Sequence, residues 1–276
     1  MNKIFIILII LVIIVVCYFL FKKKRILPNK LPKVIYMFWD KGFDNAPNIV
    51  KECLLSWEHY NPNWEIITLD KKNIYNYLSK ELLDNILKKK LIQHQADIIR
   101  VNLLNEYGGV WVDSTIFCNK PLDSWIHDYM DSGFFCFKYS LASGLSPYRL
   151  GNWFLASEKK NYIIDTFSKK YNEHWKNRES DNYFGFHNLF DKLCKTNKKF
   201  NYLYKKIPFY DARISRVTIF NFYKIRFNLK DQINQDTESL VNNKNIPMFK
   251  FRSRDNVPNE NIIDTLFEYL INSKFN

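Results

Sequence analysis

The sequence predicts an α/β domain behind a single N-terminal transmembrane helix. Residues 4–21 form an unbroken apolar run, and strand-like and helix-like segments alternate after it. A helix pattern at residues 93–107 also leads through two glycines directly into a short apolar strand. Such alternation is typical of parallel strands with helices packed on the sheet. We therefore predict an anchor at residues 1–25 and one domain at residues 26–276, which is long enough to bury a large core.

The apolar run has the length of a membrane span. Its 18 residues would form a helix of about 27 Å, close to the ~30 Å hydrocarbon thickness of a bilayer. No small-residue cleavage pattern is present, so an uncleaved anchor is predicted. Lys3 alone precedes the run, whereas four basic residues follow it at 22–25. The positive-inside rule then places the domain in the cytoplasm, with a luminal orientation as the alternative.

Hydrophobic periodicity and turn residues predict the other elements in order. The first strand lies at 33–39, and a helix follows at 47–60 with Pro47 suited to its first turn. The remaining predictions are a strand at 64–69, an interrupted helix at 74–90, a helix at 93–107, strands at 110–112, 134–139 and 152–156, and helices at 163–176 and 259–272. Residues 208–243 show no clear pattern.

Three charged residues stand at the junction of the helix at 93–107 and the strand after it. Asp97 and Arg100 are three residues apart and therefore share a helix face. Asp113 follows the apolar strand, and ligands of open α/β folds bind beyond the carboxyl ends of the strands. The pattern is compatible with a ligand site. It is equally compatible with a surface ion pair and an aspartate that opens a turn.

Several segments resemble one protein family. They are Ala-Asp-Ile-Ile-Arg at 96–100 with Tyr-Gly-Gly-Val-Trp-Val-Asp-Ser-Thr at 107–115, and the segments 31–39, 44–47, 56–65, 121–123, 152–154 and 183–187. In this order they resemble capsular polysaccharide synthesis proteins. That family is related to DXD-motif glycosyltransferases (family 32-like), which include yeast-type α-mannosyltransferases and clostridial glucosylating toxins. The resemblance extends over roughly residues 31–195.

The resemblance implies a GT-A fold, a Rossmann-like α/β domain that binds a nucleotide-sugar. It assigns Asp97 and Arg100 to the ribose and sugar of the donor. It assigns Asp113 to a divalent metal, Mn²⁺ or Mg²⁺, that holds the diphosphate. The second aspartate of the DXD motif is Thr115 here, and a hydroxyl is a weaker ligand for a hard cation than a carboxylate. Mg²⁺ keeps several waters and needs few protein ligands, so Asp113 and the diphosphate could together hold it. Metal dependence is therefore an open question.

Five further residues are weighed through their family positions. His187 would complete the metal or phosphate site, although its apolar neighbours favour a histidine of the core. Asn152 and Trp153 would lie near the sugar, or else form an amide at a strand start and a core tryptophan. Trp39 would stack on the nucleotide base, or else pack in the core. Asp123 is more simply explained as a helix cap than as a ligand.

Composition narrows the class of protein. Aromatic residues make up 17% of the chain and there are only 7 glycines, which argues against disorder. The five cysteines, at 17, 53, 118, 136 and 194, form no C-x-x-C pair, so neither a disulfide framework nor a zinc site is indicated. The net charge of +13 would suit a nucleic-acid-binding protein. No nucleic-acid-binding motif accompanies it, and solvated lysines or attraction to lipid headgroups explain it better.

The hypothesis from the sequence is a membrane-anchored glycosyltransferase of surface-polysaccharide synthesis. It would move a hexose from a nucleotide-sugar, expected to be a UDP-sugar, to a glycan or lipid-linked acceptor, with retention implied by the resemblance. The catalytic candidates are Asp97, Arg100, Asp113 and Asn152. The alternative, suggested by Thr115, is an inactive membrane-tethered protein that binds glycans or nucleotide-sugars. A nucleic-acid-associated membrane protein is the weakest alternative, because only the charge suggests it.

Overall fold

The computed structural model describes residues 31–86, 88, 91–140, 148–176, 178, 180–213, 229–251 and 263–273. The chain divides into two units, Met1–Lys30 and Leu31–Asn276, and every described residue belongs to the second. Within these ranges no helix combines the length and the apolar character needed to cross a membrane. The predicted span at residues 4–21 lies outside the described residues.

The second unit is a mixed α/β domain. In chain order its strands and α-helices are β1 (Val34–Phe38), α1 (Asn48–Tyr60), β2 (Glu65–Leu69), α2 (Lys80–Ile86), α3 (Ile92–Tyr107), β3 (Gly109–Val112), β4 (Ile116–Cys118), β5 (Phe134–Lys138), β6 (Leu150–Ser157), α4 (Tyr162–Trp175), α5 (Gly185–Thr196), α6 (Lys198–Lys206), α7 (Gln235–Asn242), β7 (Met248–Lys250) and α8 (Leu266–Ser273). Short 3-10 helices lie at Phe43–Asn45, Asn73–Asn76, Leu122–Ser124 and Ile126–Tyr129.

The central sheet has five strands in the order β2-β1-β3-β6-β5. β1 is parallel to both β2 and β3, which confirms the predicted parallel arrangement. β6 is antiparallel to both β3 and β5. β1 and β3 therefore end at the same edge of the sheet, and β6 begins there. This edge is where the sequence placed Asp113.

Two glycines join α3 to β3 within two residues. Gly108 ends the helix with φ +72°, and its N–H donates to the Leu104 carbonyl at 3.0 Å. Gly109 has φ +97°, and a Cβ at this position would lie 2.7 Å from the Val34 carbonyl oxygen. Only glycine combines this backbone conformation with so close an approach to β1. The predicted helix–glycine–strand junction is confirmed.

A second, two-stranded sheet was not predicted. β4 pairs antiparallel with β7, and Ile116 lies opposite Lys250. Phe117 and Phe249 from this sheet pack in a separate cluster with Ile49 and Val50 of α1. The late segment of the chain is thereby fixed directly beside the end of β3.

The break predicted in the helix at 74–90 is confirmed, because a 3-10 helix at Asn73–Asn76 precedes α2 at Lys80–Ile86. Residues 87, 89 and 90 lie outside the described residues. Two predicted elements need correction. Pro47 is the residue before α1 rather than a residue of its first turn. The helix predicted at 259–272 begins at Leu266 in the described part of the chain. The other predicted helices and strands agree with the structure within two residues.

Candidate active site

A cavity of about 760 Å³ opens at the edge of the sheet where β1 and β3 end. Its lining includes seven residues that the sequence singled out, namely Trp39, Asp97, Arg100, Asp113, Thr115, Asn152 and His187. They come from the ends of β1 and β3, from α3, from β6 and from α5. The parallel strands and the short α3–β3 junction bring these segments together.

Arg100 connects the two predicted carboxylates. Its Nη1 lies 3.3 Å from Asp97 Oδ1, and its Nη2 lies 3.2 Å from Asp113 Oδ1. The guanidinium also stands over the indole of Trp111, 5.0 Å from the ring centroid. The Arg100 side chain is only 5% exposed. The ion pair of α3 is therefore not a surface pair, because it is buried and extends across to the end of β3.

Asn152 links β6 to the same group. Its Nδ2 donates to Asp97 Oδ1 at 2.9 Å, and its backbone carbonyl accepts a hydrogen bond from Arg100. The neighbouring Trp153 does not line the cavity. It is 3% exposed and stacks on Phe137 at 4.8 Å between ring centroids. The role predicted for Trp153 at the donor is therefore corrected to the core alternative, because alternate residues of β6 point to opposite faces of the sheet.

The two carboxylates have opposite electrostatic environments. The pKa of Asp97 is raised to about 6, mainly by burial and also by the charge of Asp113. The Arg100 charge and the Asn152 hydrogen bond act in the opposite direction and offset part of this rise. Burial also acts to raise the pKa of Asp113, but the charges of Arg100 and Lys250 outweigh it and leave that pKa below its ordinary value. Asp113 is therefore ionised at neutral pH, whereas the pKa of Asp97 lies about one unit below neutrality.

Lys250 is the functional candidate that the sequence did not reveal. Its Nζ lies 3.3 Å from Asp113 Oδ2 and 2.7 Å from Thr115 Oγ1. It ends β7, which pairs with β4 immediately after Thr115. No spacing rule connects residue 250 with residue 113. The weak available signal was a lysine at the end of a short apolar segment, and many surface lysines share that pattern.

The remaining candidates differ in position. Trp39 lies half-buried at the cavity wall and also packs against the cluster that contains Phe249, so it combines both predicted alternatives for its position. His187 also lines the cavity, and its ring lies 4.7 Å from that of Tyr148, so the expected aromatic packing is present as well. Asp123 lies away from the cavity. The predicted helix cap is wrong, because Asp123 lies within the 3-10 helix Leu122–Ser124 and caps neither that helix nor the next one. It accepts hydrogen bonds from Lys33 Nζ at 2.7 Å and Trp64 Nε1 at 3.2 Å.

The side chains around Asp113 do not fit a divalent cation. Asp113 Oδ1 accepts a hydrogen bond from Trp111 Nε1 at 3.0 Å and faces Arg100, while Oδ2 faces Lys250. Thr115, another predicted ligand, accepts a hydrogen bond from Lys250. In the ranges that the structure describes, no three His, Cys, Asp or Glu residues are grouped as metal ligands. Hard cations prefer several oxygen ligands, and this arrangement already neutralises Asp113 with two cations.

A model of one protein family matches residues 18–270, which is most of the chain. That family is described as capsular polysaccharide synthesis protein. The chain belongs to this family. The match extends well beyond residue 195, where the resemblance of individual motifs ends, and it includes β7 and Lys250. The resemblance identified from the sequence is thereby confirmed.

Individual relatives match this chain at low sequence identity and over about half of its length. The glycosyltransferase afumC of Aspergillus fumigatus is 26% identical over 158 residues, which are 51% of this chain and 40% of that protein. An uncharacterized glycosyltransferase of Acanthamoeba polyphaga mimivirus is 27% identical over 148 residues, 50% of this chain and 55% of that protein. The chain spans about two fifths of the length of the fungal relatives that it matches.

Two solved structures also match at low sequence identity. The apo-form glycosyltransferase GlyE of Streptococcus pneumoniae matches with a TM-score of 0.46 and 12% identity, over 89% of this chain and 60% of that one. The PaToxG glycosyltransferase matches with a TM-score of 0.41 and 15% identity, over 64% of this chain and 76% of that one.

Proposed function

We propose that this protein is a glycosyltransferase of the GT-A type, which transfers a sugar from a nucleotide-sugar to a glycan or polysaccharide acceptor. Membership of the capsular polysaccharide synthesis family supports this class of reaction. The observation that carries the proposal is the buried Asp97–Arg100–Asp113 group at the cavity wall. The whole domain, residues 26–276, would serve this function.

The charges of the cavity suit the chemistry of glycosyl transfer. The bond between the anomeric carbon and the diphosphate breaks, and its electron pair stays on the phosphate oxygen. The acceptor hydroxyl forms the new bond to that carbon, and its proton passes to the departing diphosphate. Arg100 and Lys250 offer cations for the negative leaving group. Asp97 and Asn152 offer an acceptor and a donor for the hydroxyls of the sugar.

The finer features of the donor follow from the resemblance and form part of the proposal. We expect a hexose, carried on UDP, and transfer with retention at the anomeric carbon. Trp39 would stack on the base, since it lies at the cavity wall and is partly exposed. The exposed Tyr183, also at the wall, would contact the acceptor, because an aromatic ring presents an apolar face to a sugar.

We also propose that residues 1–25 anchor the enzyme in a membrane with the domain in the cytoplasm, where nucleotide-sugars are made. The apolar run and the basic cluster after it support this. Cell fractionation of the full chain and of a variant without residues 1–25 tests it. Recovery of the full chain in the soluble fraction would contradict the anchor.

The function is tested by a screen of nucleotide-sugars with the full chain in detergent, with and without Mn²⁺. We expect turnover of at least one donor and a loss of about 100-fold in Asp113→Asn, because Arg100 and Lys250 then lose the group that orients them. Asp123→Asn is the matched control, as Asp123 forms a salt bridge outside the cavity. Circular dichroism checks that both variants fold.

Thr115, which stands where the DXD motif has its second aspartate, supports one alternative function, that of an inactive nucleotide-sugar-binding protein. Such a protein would bind the donor in the same cavity without turning it over. Calorimetric binding without product, across a panel of glycan acceptors, would favour it and would overturn the enzymatic proposal.

A further inference from the structure

We propose that the ammonium group of Lys250 takes the place that the family resemblance gives to a divalent metal, so that transfer needs no metal ion. The proposal rests on the proposed function, because it concerns how the diphosphate of the donor is held.

Lys250 lies between two of the side chains that the resemblance assigns to the metal, Asp113 and Thr115. Its Nζ is 3.3 Å from Asp113 Oδ2 and 2.7 Å from Thr115 Oγ1. A metal bound to the same two oxygens would come within a few ångströms of the ammonium group and be repelled by it. Thr115 replaces the second aspartate of the DXD motif, and its hydroxyl accepts a hydrogen bond from Lys250. A hydroxyl is a suitable acceptor for an ammonium group.

The backbone holds Lys250 firmly in this position. Lys250 lies opposite Ile116 in the two-stranded sheet, and the N–H of Phe251 donates to the Thr115 carbonyl at 2.8 Å. The Lys250 side chain is only 19% exposed. A cation that is already positioned and largely desolvated stabilises developing negative charge without reorganisation.

Asp113 holds two cations in the site. It faces Arg100 with one carboxylate oxygen and Lys250 with the other, so it orients both at once. When Asp97 and Asp113 are both ionised, their charges balance those of Arg100 and Lys250. A diphosphate that entered the cavity would meet the two cations on side chains that are already positioned.

The experiment uses the full chain in detergent, with the donor identified in the screen and with UDP and inorganic pyrophosphate as binding probes. We expect EDTA and added Mn²⁺ to change turnover by less than about twofold. Lys250→Met should lower turnover about 100-fold and weaken the binding of both probes about tenfold or more. Lys250→Arg keeps the charge and should retain clearly more activity than Lys250→Met. Lys244→Ala is the matched control, since Lys244 is exposed on the same segment and contacts Tyr60.

The outcomes separate this proposal from the function on which it rests. If EDTA abolishes turnover and Mn²⁺ restores it, the proposed glycosyltransferase function is supported and the proposed role of Lys250 is overturned. Wild-type turnover in a folded Lys250→Met variant would do the same. If Lys250→Met does not fold, the effect of EDTA on the wild type and on Lys250→Arg decides. If no nucleotide-sugar or UDP binds with or without Mn²⁺, both proposals fall.

Discussion

Arg100 is the residue on which the candidate site depends. It forms ion pairs with Asp97 and Asp113 and donates a hydrogen bond to the backbone carbonyl of Asn152. A guanidinium can do this because its donors form a fixed planar fork, which a lysine at the same position would lack. One side chain thereby connects α3 with the end of β3 and the start of β6.

At the residue scale, the first expectation concerns the pH dependence of activity. Asp97 has a pKa of about 6, and only its ionised form makes the ion pair with Arg100. The groups that face it also include Asp113 and Tyr171, and burial raises the pKa of Tyr171 well above its ordinary value, so that phenol stays neutral. We expect kcat/KM to fall on the acid side with a midpoint near pH 6. Asp97→Asn should be less active and lack this acid limb; an unchanged midpoint in that variant would contradict the assignment.

The same carboxyl also links stability to pH. Its folded-state pKa of about 6 lies above the ordinary value of 3.8, so folding favours the protonated form. The resulting stabilisation is complete below pH 3.8 and is lost as the pH rises through 6. Between pH 5 and 8 we expect the wild type to lose about 1–2 kcal/mol relative to Asp97→Asn. Urea unfolding of both proteins at several pH values measures this, and parallel curves would refute it.

At the element scale, the junction between α3 and β3 is the most constrained connection near the site. Both glycines have positive φ, and Gly109 approaches the backbone of β1. The helix can therefore turn into the strand without a loop. This places Arg100 and Asp113, which belong to different elements, within ion-pair distance.

Gly109→Ala should lower the free energy of unfolding by about 2–4 kcal/mol, because strain at positive φ adds to the clash of the new Cβ with the Val34 carbonyl. Gly42→Ala is a matched control. Gly42 also has positive φ, +82°, but a Cβ there would meet only the flexible Asp70 side chain at 3.3 Å. We expect Gly42→Ala to lose about 1 kcal/mol. Equal losses in the two variants, measured by urea unfolding, would remove the steric argument.

At the scale of the whole molecule, the cavity combines segments that are far apart in the chain. The late segment reaches it through β7, which is held against β4 and α1 by the cluster around Phe249. The side-chain amide of Asn119 adds hydrogen bonds to the carbonyls of Val241 at 3.2 Å and Ile246 at 3.0 Å. Lys250 is therefore placed by tertiary packing and not by its local sequence.

Phe249 is 1% exposed, and Phe249→Ala should lower the free energy of unfolding by about 3–5 kcal/mol through the cavity that it leaves. Tyr202→Ala serves as the control, since that ring is 57% exposed on α6 and its removal should change stability by less than about 0.5 kcal/mol. A small loss for Phe249→Ala would show that β7 is held by other contacts.

The sequence by itself determined the local features of this protein. Hydrophobic periodicity and paired glycines predicted α3, β3 and their junction, because helix faces and glycine conformations depend on neighbouring residues. The order of motifs indicated the family, and spacing placed Asp97, Arg100 and Asp113 together. Tertiary structure alone decided that Trp153 packs in the core, that β6 is antiparallel and that Lys250 lies between Asp113 and Thr115. These three features depend on which distant segments pack against each other, and the pattern of neighbouring residues does not determine that packing.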